Sequence, residues 1–226
     1  MNRSYLAYSL LLYAHVLLFV FWLGGDVGVY TAGRHFRKRT VYSLEQRLAV
    51  LRLLIAIDMV PRTAWALMVP VSLSVVAMGG FWAVPTWVLI TAWIVGGLWL
   101  ALSWDAHAHQ ETARAARDRR IELVLKVLIG LSYLVMGTWS LATGAPLAER
   151  WLATKALLFG AIFGAAIMID IAYAPVGVQL GRLIREGSSD STELPLLATM
   201  NRTRLWVWIL YLLLLVTAYI GIARPF

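Results

Sequence analysis

The residues best suited to chemistry lie inside the first apolar run. In segment 5–30, YLAYSLLLYAHVLLFVFWLGGDVGVY, His15, Phe19, Trp22 and Asp26 recur at i, i+4, i+7 and i+11. On a helix that spacing makes a single stripe. An imidazole or a carboxylate at bilayer depth is costly and normally faces a bundle interior, a cofactor or a water path. The stripe points to buried redox or proton chemistry, with His15 as an axial ligand for haem iron, Trp22 beside the bound group and Asp26 handling protons. A plain hydrogen bond from His15 to a neighbouring helix is the competing reading.

Other ionisable residues fall inside apolar runs. Asp58 and Arg62, in IDMVPRTAW, are spaced for an ion pair along one helix. Pro61 between them, and Pro70 beyond, free backbone carbonyls that need partners in lipid. The Arg62 guanidinium can close that ion pair or bind a propionate, because its planar fork matches a carboxylate. Asp26, Asp58 and Asp170 fall at similar depth, so a proton path or a cation site forms if they face one another. Lys155 stands about one turn inside its span, within reach of the interface by snorkelling. Asp105, His107, His109 and Glu111 make two i, i+4 pairs at a helix end, a spacing that suits zinc or copper but is also common in solvated termini. Gly24/Gly28 and Gly160/Gly164 are small-xxx-small pairs for close helix packing.

The elements that position these groups are membrane spans. The chain has 226 residues, 61% hydrophobic and 14% charged, far more apolar than a soluble domain. Six runs, about 5–31, 49–78, 86–104, 121–143, 151–175 and 205–223, are near or above the ~20 residues that cross the hydrocarbon core. The expected fold is an all-α, six-span helix bundle, 1–226 as a single integral membrane domain. The first, third and fifth connections carry clustered arginines, among them Arg37, Arg39, Arg117, Arg120, Arg182 and Arg202. The second has no Lys or Arg and the fourth only Arg150. That alternation places the basic connections in the cytoplasm and both termini outside it, in a bacterial-type inner membrane. The segment 186–195, EGSSDSTELP, reads as a flexible loop with Pro195 near the next span. Trp82, Trp87, Trp104, Trp151 and Trp206 read mainly as an interfacial belt, whereas Trp22, Trp65 and Trp93 lie deeper.

Several function classes drop out. The chain has no cysteine, which excludes disulfides, thiolate metal sites, Cys-ligated iron–sulfur clusters and covalently attached haem, though not haem b. The net charge of +8 belongs to the loops and to anionic lipid, so nucleic acid is not the expected partner. The first run is too long for a signal-peptide core and no small-x-small cleavage site follows it.

Taken together, several segments resemble the HemJ-type protoporphyrinogen oxidases and the related CopD-like membrane group. HVLLFVFWLGG, with His15, Trp22, Gly24 and Gly25, then Arg34, is similar to that family's opening helix. WLATKA, 151–156, is similar to its Trp-Leu-x-x-Lys-Leu element, and Asn201, the last span and Arg224-Pro225-Phe226 are similar to its closing helix and tail. The resemblance covers spans one, two, five and six, with three and four as additions. It departs where the family has histidine and this chain has Ala153, in the region of Ile169 and Asp170, and at Arg202 beside Asn201. It implies haem b on His15, a functional Lys155, and a porphyrin or quinone as redox partner. The alternatives are a proton- or metal-ion-translocating protein using Asp26, Asp58 and Asp170, and a non-catalytic subunit that forms homo-oligomers or assembles a partner membrane protein.

Overall fold

A computed structural model describes residues 3–110 and 112–226 of the chain, with side chains from Ser4 onward. All the regular structure among them is helical: α1 (Arg3–Phe36), α2 (Leu44–Met78), α3 (Thr86–Ala108), α4 (Ala113–Thr143), α5 (Arg150–Tyr173), α6 (Val176–Glu186) and α7 (Asp190–Ala223). Six helical segments are long and apolar enough to cross a membrane, α5 and α6 counting as one.

Local chemistry sets most helix ends. Ser43 starts α2 with a capping box: its hydroxyl accepts from the Gln46 amide, and its own amide donates to the Gln46 side chain. The Thr112 hydroxyl accepts from the Ala115 amide at the start of α4. Gly144, at φ +77°, ends α4 in the left-handed conformation that glycine adopts without strain. Pro175 separates α5 from α6.

Consecutive helices pack side by side from α1 through α5, α7 closes against α5, and α6 lies against α7. The α1–α2 and α4–α5 contacts are close because glycines let backbones approach. A methyl group on Gly25 would lie 2.6 Å from Pro61 Cδ, and one on Gly137 would lie 2.5 Å from the Leu157 amide nitrogen. Gly130 and Gly160 face each other across the same α4–α5 seam. Of the pairs read from spacing, Gly28 and Gly160 are at contacts, while Gly24 and Gly164 face open space. Pro61 and Pro70 both lie inside a continuous α2, and the Pro70 ring packs on Gly96 of α3.

The main core joins Trp22, Trp65, Trp99, Phe159 and Phe163 at mid-bundle. A second, smaller core of Phe36, Leu51, Val176, Leu183, Leu196 and Met200 lies at the basic end, beneath α6. Large apolar side chains such as Leu10, Phe21, Leu53, Leu128 and Leu212 face outward, as suits lipid.

The helices outrun the predicted spans at the basic end. Segment 186–195 is no flexible loop: only 187–189 separate α6 from α7, and Pro195 lies within α7. The reason is tertiary. The Arg47 guanidinium forks onto the Glu193 carboxylate at 2.5 and 2.8 Å, with both side chains fully buried, and Ser188 donates a third bond to that carboxylate. Arg47 Nε also donates to the Phe36 carbonyl. This joint ties the starts of α2 and α7 to the end of α1, and it orders a stretch whose composition suggests a loop.

Candidate functional site

Two cavities lie one above the other in the bundle, and Trp22 lines both. The first, about 240 Å³, opens toward the bare end. Its walls are apolar and aromatic, with Phe19, Phe81, Trp151 and Phe159, and Met68 and Met136 contribute thioethers. His15 of α1 and Lys155 of α5 both line it. The His15 Nδ1 is buried without a hydrogen-bond partner among the described residues. Lys155 forms no ion pair with a described residue; its ammonium lies against Gly221 of α7, where a methyl group would come within 2.5 Å of Nζ. At the rim, the Arg224 guanidinium stacks over Trp151 at 4.7 Å and Phe81 at 5.1 Å from the ring centroids.

The second cavity, about 170 Å³, lies toward the basic end. Asp26, Asp58 and Asp170 line it together, so the three carboxylates noted at similar depth do share a space. Arg62 and Lys126 line it too. Arg62 Nε donates to Asp58 at 2.6 Å, and its guanidinium lies 3.8 Å from Glu122. The Lys126 ammonium bridges Glu122 at 3.1 Å and Asp170 at 2.9 Å. Trp99 Nε1 donates to Glu122 as well. The network links α2, α4 and α5, and mutual pairing is what makes charges within membrane-length helices tolerable. Glu122 and Lys126 carry no weight in a span-by-span reading, because they sit where α4 was expected to begin. Their i, i+4 spacing just inside an apolar run is the signal that marks them.

Aromatic rings separate the cavities. Trp22 stacks on Trp65 at 5.4 Å and 23°, and meets Phe159 edge-on at 6.4 Å. Trp65 packs in turn on Trp99 and Phe163. Of the deep tryptophans, Trp22 and Trp65 line cavity space, whereas Trp93 is exposed and donates to Ser74. Trp151, expected in the interfacial belt, is buried in the wall of the first cavity, while Trp87 and Trp104 are exposed.

The sequence-predicted residues therefore divide. His15 and Lys155 share the bare-end cavity, Asp26 and Arg62 share the charged one, and Trp22 belongs to both. Arg224, which spacing did not single out as a ligand, takes the rim position beside Lys155. At the end of α3, Asp105 is engaged by Arg114, whose Nε donates at 2.6 Å, and His109 bonds to the Asp105 carbonyl. Among the described residues no three His, Cys, Asp or Glu side chains gather as a metal site. Glu111 lies outside the described residues.

The fold defines an all-helical protein with six membrane-length helical segments around two internal cavities. Comparison with protein-family models, curated proteins and solved structures finds no match for this chain.

Proposed function

We propose that this chain is a membrane redox protein that holds haem b in the bare-end cavity, on a scaffold akin to the HemJ-type oxidases and CopD-like proteins. The observation that carries the reading is the meeting of His15 and Lys155, from the two segments most like that family, in a single apolar cavity. The residues present suit the group. A buried imidazole nitrogen without a partner calls for one, and aromatic walls favour a flat macrocycle. Lys155 and Arg224 line the same cavity as cations that could hold propionates. The cavity, at about 240 Å³, lies below the ~300–1,000 Å³ usual for ligand pockets.

His15 would ligate the iron, Lys155 and Arg224 would hold the carboxylates, and Trp22 would floor the site. Haem b supplies one-electron chemistry at iron. The chain's own part is to orient the group, exclude water and steer an acidic substrate toward cationic side chains. A porphyrinogen or a quinone is the class of redox partner that suits an acidic or apolar route from the membrane. The basic end faces the cytoplasm of a bacterial-type inner membrane, with both termini on the opposite side.

The test is the absorption spectrum of detergent-purified protein, oxidised and then reduced with dithionite. A Soret band that shifts or disappears in His15→Ala supports the assignment. Colourless protein from haem-replete cells overturns it.

A further inference from the structure

The charged cavity takes no part in holding a macrocycle, yet its composition is specific. Three carboxylates, Asp26, Asp58 and Asp170, and two cations, Arg62 and Lys126, line it, and Glu122 pairs with Lys126 beside it. Asp58, Glu122 and Asp170 each pair with a cation; among the described residues, Asp26 pairs with none. Its carboxyl group nevertheless lies beside Asp58, Arg62 and Trp22. Asp26 is thus the one carboxylate of this cluster without a contact ion pair among the described residues. The Asp26 backbone carbonyl is fixed by the Tyr211 hydroxyl at 2.7 Å, so this point of α1 is held against α7.

The cavity itself is the second observation. Its roughly 170 Å³ can hold several waters at the ~10–15 Å³ each requires. The Trp65 indole N–H in its wall is buried and bonds to nothing among the described residues, a donor suited to water. Toward the basic end the cavity is bounded by Tyr30, over which the Arg37 guanidinium lies at 5.9 Å. Toward the bare end it stops at Trp22, which also lines the His15 cavity. One helical stripe thus carries a carboxyl group without a contact ion pair among the described residues, an aromatic partition and an imidazole in series.

We infer that the charged cavity is a proton path from the basic end into the bundle, with Asp26 as its proton-carrying group and Trp22 as the partition toward the His15 cavity. A proton arrives from water at the basic end, adds to a carboxylate oxygen of Asp26, and leaves to water beyond Trp22. Only O–H bonds form and break, so no oxidant or other co-reactant is required. Arg62 and Lys126 keep Asp58, Glu122 and Asp170 in place. The exit lies in the His15 cavity, so the path is that of protein in which this cavity holds water, and a macrocycle seated there would close it.

The experiment is proton flux into proteoliposomes loaded with a pH-sensitive dye, driven by a potassium diffusion potential. The wild-type chain should conduct well above empty liposomes. Asp26→Asn should lower the flux by about a hundredfold, the scale of a positioned proton-transfer group, and Asp26→Glu should retain it. Trp22→Ala should raise it. Matching elution profiles and helical circular dichroism establish that the variants fold. Flux equal to that of empty liposomes, flux unchanged in Asp26→Asn, or a signal that follows sodium rather than protons overturns the inference. The haem spectrum is a separate readout, so either proposal can fail alone.

Discussion

Lys155 and Gly221 make a sharp test of the bare-end cavity. The ammonium occupies the space that the missing side chain of Gly221 leaves open. Gly221→Ala meets only the far end of a flexible side chain, so thermal melting should change by less than about 0.5 kcal/mol in stability. If the cavity holds haem as proposed, the displaced ammonium should nevertheless weaken its retention, measured as haem loss to an apoprotein acceptor. Lys155→Met should lower retention further, and Lys155→Arg should restore part of it, because a cation remains near the carboxylates. Both Lys155 and His15 stand out in the sequence as ionisable groups in apolar runs. Their sharing of a cavity does not, because the two residues come from different helices whose relative rotation no local pattern records.

At the scale of the elements, two kinds of contact hold the helices. One is glycine-mediated. Gly137→Leu would drive a side chain into the Leu157 backbone of α5, which cannot yield as a side-chain tip can. We expect a loss of about 1–3 kcal/mol or more from overpacking, visible as a lower melting temperature in detergent. The same change at Gly164, which faces open space, should be near neutral. The other kind is ionic. Glu193→Gln leaves the buried Arg47 without its countercharge, at a cost of about 3–5 kcal/mol. The double change Arg47→Met with Glu193→Met should recover most of that loss, because apolar side chains of similar size need no partner. Denaturant titration of the single and double variants measures it. Arg47 reads in the sequence as one more loop arginine, and its partner lies 146 residues away, so only the folded chain distinguishes it from its neighbours.

For the molecule as a whole, the absence of native cysteine makes the orientation directly testable. Thr40→Cys in the first basic connection should react with a membrane-impermeant maleimide only from the cytoplasmic side, and Ala148→Cys in the fourth connection only from the opposite side. Labelling of both from one side would refute the six-span arrangement. The six membrane-length helices are legible in the sequence because span length and hydropathy are properties of consecutive residues, set by the thickness of the bilayer. The His15–Trp22–Asp26 stripe is legible for the same reason, since 3.6 residues per turn fixes it within one helix. Tertiary structure alone decides that Trp22 divides two cavities, that Arg62 goes with Asp26 while Arg224 goes with Lys155, and that segment 186–195 is mostly helix. Those outcomes depend on which face each helix turns toward its neighbours and how closely glycines let them approach. Packing between distant segments sets that, and periodicity along a single helix does not specify it.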